Sequence, residues 1–240
     1  MAQTVPAPPQ VGLEEKLGER VPTRARLADE MGGVVELGQL LGKPTILTLN
    51  YYRCASICSP QLNGVASALN GVALEPGRDF QVLTVSFDPR DTPEIAKRKR
   101  ENYLKLMNRP FPPSAWRFLT GAEQATRSLA DSVGYRFARQ GGEYAHPAAI
   151  MILSPEGKVT RYLYGTNFLA ADVEMALREA AQGLARPTVT QPLGFCYVYD
   201  PEGRRTVFSV TRAAGGVILV LGVVFAVVLL ARKRRREPVP

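Results

Sequence analysis

Alternating β-rich and helix-patterned segments between Pro44 and Gly183 predict an α/β fold, a parallel or mixed sheet with helices on both faces. Three observations carry this expectation. The run Phe80–Asp88 (FQVLTVSFD) is almost continuously apolar, as a strand buried on both faces must be. The run Thr45–Tyr52 (TILTLNYY) is rich in β-branched and aromatic residues. Each run is followed by a segment with helical spacing and helix-end signals. Near the C-terminus, the uncharged stretch Ala213–Ala231 adds a transmembrane helix to this fold.

The elements follow in chain order. Residues 1–22 are Pro-rich and polar and read as a flexible N-terminal segment. Residues 23–43 carry a hairpin signal around Met31-Gly32-Gly33. After the strand Thr45–Tyr52, Cys58–Leu74 has apolar residues near helical spacing and ends before Pro76-Gly77. Phe80–Asp88 is the central strand. Thr92 caps a helix with Pro93 at its first position, running to about Met107. Arg109–Pro113 is a Pro-rich connection to a short strand, Trp116–Thr120, and a helix, Gly121–Val133. Tyr135–Arg139 and Ala148–Leu153 read as strands, and Pro155-Glu156-Gly157 turns into Val159–Tyr164. Ala170–Gln182 closes the domain as a helix capped by Gly183. The domain therefore spans 23–183, a linker 184–212, the membrane helix 213–231 and a basic tail 232–240.

Composition bounds the function. A chain of 240 residues holds one ordinary domain with appendages, and 45% apolar with 22% charged residues excludes a disordered or collagen-like chain. Three cysteines are too few for a disulfide scaffold, and a single histidine excludes H-E-x-x-H zinc hydrolysis. The net charge of +8 is unevenly placed. Residues 204–240 carry eight Lys/Arg against one acid, whereas residues 1–203 carry 22 Lys/Arg against 21 Asp/Glu. Nucleic-acid binding needs a basic face on the body and is not expected. The run Lys97–Arg100 reads as a solvated helix face.

The 19 uncharged residues Ala213–Ala231 span about 28 Å as a helix, close to a bilayer core. They stop at Arg232-Lys233-Arg234-Arg235-Arg236, which marks the C-terminus as cytoplasmic and places residues 1–203 outside. The expectation is a single-pass cell-membrane protein with its globular domain on the extracytoplasmic side. The start, MAQTVPAPPQ, has neither the basic nor the apolar region of an export signal. A signal absent from this sequence, a misassigned start and a tail-anchored cytoplasmic body are the alternatives, and the first is favoured.

Cys54 and Cys58 follow a strand at the start of a helix, in Cys54-Ala55-Ser56-Ile57-Cys58. Four-residue spacing puts both sulfurs on one helix face, and a helix N-terminus favours the thiolate, which is both nucleophile and metal ligand. Two buried structural cysteines are the competing explanation. His146 lies just before the strand Ala148–Leu153, where it can reach the cysteine helix if that strand packs beside Thr45–Tyr52. Two thiolates and an imidazole suit Cu(I) first and Zn(II) second. A structural zinc site would want a fourth ligand, and Cys196 lies far along the chain, where a buried small hydrophobe is its ordinary role.

Four segments carry a family resemblance: Tyr51-Tyr52-Arg53-Cys54-Ala55-Ser56-Ile57-Cys58, Phe87-Asp88-Pro89-Arg90-Asp91-Thr92-Pro93, Trp116-Arg117-Phe118-Leu119-Thr120-Gly121, and His146 followed by a strand and Ser154-Pro155-Glu156-Gly157. The chain resembles the SCO/SenC proteins, membrane-anchored thioredoxin-fold copper proteins of cytochrome c oxidase assembly. The resemblance covers about Gly12–Gly183. It implies a thioredoxin-like fold, Cys54, Cys58 and His146 as Cu(I) ligands, and the oxidase subunit carrying CuA as the partner. It also implies Asp88 as a carboxylate close behind the ligands; a turn-initiating role before Pro89 accounts for Asp88 equally well. Ala55 replaces the proline common after the first cysteine, Pro147 follows the histidine, and the expected anchor is C-terminal. A branch with a C-terminal span matches better, through Cys196-Tyr197-Val198-Tyr199-Asp200-Pro201. The alternative function is a thiol–disulfide oxidoreductase using Cys54 and Cys58 as a redox pair on a partner's cysteines.

Overall fold

The structure is a computed structural model and describes residues 11–53 and 58–188. Strands β1 (Gly12–Leu13), β2 (Arg26–Ala28) and β3 (Val34–Glu36) precede β4 (Thr45–Asn50) and helix α1 (Cys58–Gly71). Then come β5 (Gln81–Ser86), α2 (Pro93–Leu104), β6 (Trp116–Leu119) and α3 (Glu123–Ser132). Short strands β7 (Tyr135–Arg136), β8 (Ala138–Gln140) and β9 (Glu143–Ala145) lead to β10 (Ala149–Leu153), β11 (Val159–Tyr164) and α4 (Ala170–Ala181).

Five strands form the main sheet in the order β11-β10-β4-β5-β6. β4, β5 and β6 run parallel, because α1 and α2 return the chain to the same end of the sheet. β10 is antiparallel to both β4 and β11, which makes the sheet mixed. All of β4 is buried, and so is β5 after Gln81. Alternate side chains feed two cores. Leu47, Leu49, Leu83 and Val85 face Leu129 and Val133 of the α3 region. Ile46 and Val82 pack with Leu62 and Leu69 of α1, Tyr103 of α2 and Leu177 of α4. A strand with apolar neighbours on both sides needs apolar residues at every position, hence the continuous run read for β5.

The hairpin expected around Met31 is β2–β3, closed by Asp29, whose Oδ1 accepts the N–H groups of Met31 and Gly33 at 2.9 and 2.8 Å. Three features differ from expectation. Residues 12–22 pack onto the domain: β1 pairs with β7, Val21 is buried, and Gly18 and Val21 donate to the carbonyls of Val159 and Gly157. Pro-rich composition concealed three apolar anchors, Leu13, Leu17 and Val21. The single strand expected over Tyr135–Arg139 breaks at Phe137, whose ring turns inward and stacks on Phe87 at 4.1 Å. β7 joins β1, while β8 forms a hairpin with β9 across Gly141 and Gly142. Finally, Arg100 leaves the solvated face of α2 to reach the buried Glu30 at 3.3 Å.

Among the described residues no helix is long and apolar enough to cross a membrane. The expected span 213–231, the linker beyond 188, the basic tail and Cys196 lie outside the described residues.

Candidate metal centre

Three chain segments meet at one end of the sheet. β4 ends at Asn50, and Tyr51, Tyr52 and Arg53 lead toward Cys54. α1 opens at Cys58, and Gln61 lies in its first turn. β10 opens at Ala149, three residues after His146. Gln61 is fully buried and ties the three together: its Oε1 accepts from Asn50 Nδ2 at 3.1 Å and its Nε2 donates to the Ala149 carbonyl at 2.6 Å. A buried amide must have partners for both ends, so this pair of bonds sets the spacing of β4, α1 and β10.

Cys54 lies outside the described residues, as do Ala55, Ser56 and Ile57; Cys58 is placed only as the first residue of α1. The candidate ligands are therefore located here by their flanks. Among the described residues no group of three His, Cys, Asp or Glu could hold a metal ion.

His146 is half-buried where the β8–β9 hairpin turns into β10. Its ring meets Tyr51 edge-on at 5.9 Å and Phe87 at 5.6 Å. Tyr144 closes on both of those rings, at 5.3 and 5.5 Å. Tyr51, which directly precedes Tyr52-Arg53-Cys54, thus lies against His146, and its hydroxyl reaches Glu143. Nδ1 of His146 lies 2.8 Å from the Tyr135 hydroxyl and 3.0 Å from the Pro147 carbonyl.

Asp88 follows β5 and is fully buried. Its carboxylate takes Arg90 in a fork, with Nε and Nη2 at 2.9 and 2.7 Å, and accepts the Arg90 N–H at 3.0 Å. That last bond is an Asx turn, the local role open to an aspartate before proline. Burial works against its ionisation, but the bonds from Arg90 outweigh it and hold the carboxyl below the ordinary aspartate value.

Asp91 is also buried, and the sequence singles it out only as part of the Asp88–Pro93 segment. Its Oδ2 accepts from the Tyr52 N–H at 2.6 Å and from Ser86 Oγ at 2.7 Å. Its Oδ1 is buried without a hydrogen bond, and Arg53 Nε stands 3.5 Å away. Burial raises its carboxyl above the ordinary value, and the nearby Asp88 charge adds to this. Asp91 and Tyr135 are the site residues that sequence reasoning missed. A carboxylate between two nearby prolines, Pro89 and Pro93, signals a turn, and a tyrosine in a strand signals a core, so neither carries a signal of its own.

A mixed sheet in which a Cys-x-x-x-Cys segment follows a central strand and opens a helix defines a thioredoxin-like domain. The SCO1/SenC family model matches residues 14–182, and the chain belongs to that family. It is 27% identical over 135 residues to Protein SCO1 homolog 1, mitochondrial, of Arabidopsis thaliana. That match covers 53% of this chain and 37% of the relative, so the chain spans little more than a third of that protein. A crystal structure from Aquifex aeolicus VF5 superposes with a TM-score of 0.64 and 31% identity, covering 70% of this chain and 95% of that one. The crystal structure of Arabidopsis thaliana ScoI with copper bound gives 0.54 and 23%, over 66% and 96%, a likeness of fold.

Proposed function

We propose that the domain binds one Cu(I) through Cys54, Cys58 and His146 and delivers it to, or matures, the CuA site of cytochrome c oxidase. One observation carries the reading: Gln61 and the Tyr51–His146 contact bring the flanks of both cysteines to the only histidine of the chain. The donor chemistry fits the metal, since two soft thiolates and an imidazole suit low-coordinate Cu(I). Bound copper would be the cargo; the described part of the protein holds the imidazole at one sheet end, against the rings of Tyr51 and Phe87. Membership of a family whose relatives include a copper-bound structure supports the same reading.

We further propose that Ala213–Ala231 anchors the domain on the extracytoplasmic face of the cell membrane, with Arg232–Pro240 inside, as in a C-terminally anchored branch of the family. The uncharged span and the five cations after it support this. Reporter fusions at residue 203 and at the C-terminus test it, and a cytoplasmic signal from the first would reverse the orientation.

A thiol–disulfide exchange activity on a partner protein is the second reading. It is favoured by Cys58 opening a 14-residue helix, where the helix dipole stabilises a thiolate. The copper reading is tested by titrating the reduced 240-residue chain with Cu(I) against a competing chelator. One equivalent should bind, and replacing either cysteine by serine should abolish it.

A further inference from the structure

We propose that Tyr135 is a positioning residue that holds His146 as the Nδ1–H tautomer, leaving Nε2 as the nitrogen that donates to a metal. The inference rests on the copper reading for what Nε2 binds; the tautomer itself rests on proton counting.

The Tyr135 side chain is fully buried. Its hydroxyl oxygen lies 3.0 Å from the Leu49 carbonyl, 2.7 Å from the Pro147 carbonyl and 2.8 Å from His146 Nδ1. Nδ1 is also 3.0 Å from the Pro147 carbonyl. Carbonyl oxygens only accept, and a phenol has one proton to give. If Nδ1 carried no proton, that single proton would have to serve every one of these contacts. Given to Nδ1, it leaves the phenol oxygen facing two carbonyl oxygens with nothing between them. Given to either carbonyl, it leaves the Nδ1 lone pair facing the phenol and Pro147 oxygens.

A proton on Nδ1 resolves the arrangement. The phenol donates to Leu49 or Pro147, and Nδ1–H donates to the phenol oxygen, the nearer of its two acceptors. Buried polar groups are rarely left unmatched, so the two-proton arrangement is the one this site supports. It follows the wider pattern in which a metal-binding histidine gives its other N–H to a fixed oxygen. Here the oxygen is fixed from two sides. Leu49 belongs to β4, which leads to Cys54, and Pro147 directly follows His146. Phe87 and Tyr51 stand at 67° and 86° to the imidazole and hold its plane.

A single histidine makes the tautomer directly measurable, because histidine labelled with 13C and 15N gives one imidazole spin system in the 240-residue chain. In the reduced, metal-free protein, at a pH where the ring is neutral, the 15N shifts should show a protonated Nδ1 and an unprotonated Nε2. Tyr135→Phe keeps the ring and removes the hydroxyl, and should move the population toward the Nε2–H form. Its Cu(I) affinity should fall roughly 10–100-fold. An Nε2–H tautomer in the wild type would overturn the proposal, as would an unchanged tautomer in Tyr135→Phe. If that variant does not fold, the wild-type spectrum decides alone. A wild type that shows Nδ1–H and loses it in Tyr135→Phe, yet binds no Cu(I), supports the positioning role and removes the copper reading instead.

Discussion

The carboxylate of Asp91 accepts the backbone N–H of Tyr52 at 2.6 Å, two residues before Cys54. Through Ser86 Oγ, at 2.7 Å, the same oxygen reaches the end of β5. The Asp88–Pro93 segment thus braces the exit of β4 from below, while Gln61 and Tyr135 brace it from the side of β10. Three separate elements fix the last described residues before the cysteines.

Asp91 should make stability fall with rising pH in a defined window. Burial raises its carboxyl, with Asp88 adding to the effect, while bonds from Ser86 and Tyr52 oppose it. The folded protein therefore holds this proton more tightly than the unfolded chain. Its contribution is fully present below the unfolded value near 3.8 and is lost as pH rises through the folded value. Urea unfolding of wild type and Asp91→Asn across that window should show the wild-type advantage shrinking as pH rises. A difference that stays level or grows would contradict the assignment.

Glu30 should be a stability residue that takes no part in metal binding. It is 3% exposed and accepts from the Phe118 N–H at 2.7 Å and Arg117 Nε at 3.0 Å, with Arg100 beside it at 3.3 Å. Glu30→Ala leaves two arginines and a buried N–H without this partner and should cost about 3–5 kcal/mol. The check is the urea midpoint, with Cu(I) stoichiometry of the folded protein unchanged. A wild-type midpoint would show that the cluster is not coupled to folding.

Gly134 joins α3 to β7 at φ +62°, and a Cβ there would lie 1.8 Å from the Glu14 carbonyl oxygen. Gly134→Ala should therefore destabilise the protein by about 1–3 kcal/mol from backbone strain, plus the clash. The break should begin where Glu14 N–H donates to the Gly134 carbonyl. Amide exchange over residues 12–21 should speed up more than in β4 or β5. Uniform protection in the variant would mean that the N-terminal segment is not held through this contact.

Much of this architecture is legible in the sequence, for identifiable reasons. β4, β5 and α2 announce themselves because a doubly covered strand must be apolar throughout and because Thr92-Pro93 starts a helix. His146 and Asp88 are visible because histidine is single and the Asp88–Pro93 segment is distinctive. The packing of residues 12–22 is not legible, since Leu13, Leu17 and Val21 are isolated apolar residues among prolines and charges. Nor is the break at Phe137, because alternation cannot tell one strand from two that turn about a stacked ring. Asp91 and Tyr135 act through backbone groups distant in sequence, which composition and spacing do not encode.

The central claim is that His146 belongs to a copper site and not to a thiol enzyme, and one paired measurement tests it most directly. Cu(I) competition titration and the rate of disulfide reduction are recorded on wild type and His146→Ala. Losing the imidazole leaves a two-coordinate thiolate pair, so copper affinity should drop roughly 10–100-fold or more. Disulfide exchange depends on thiolate access and basicity at the cysteines, so its rate should stay within about tenfold. Unchanged copper affinity with collapsed reductase activity would contradict the account and leave His146 as an acid–base partner of the cysteines.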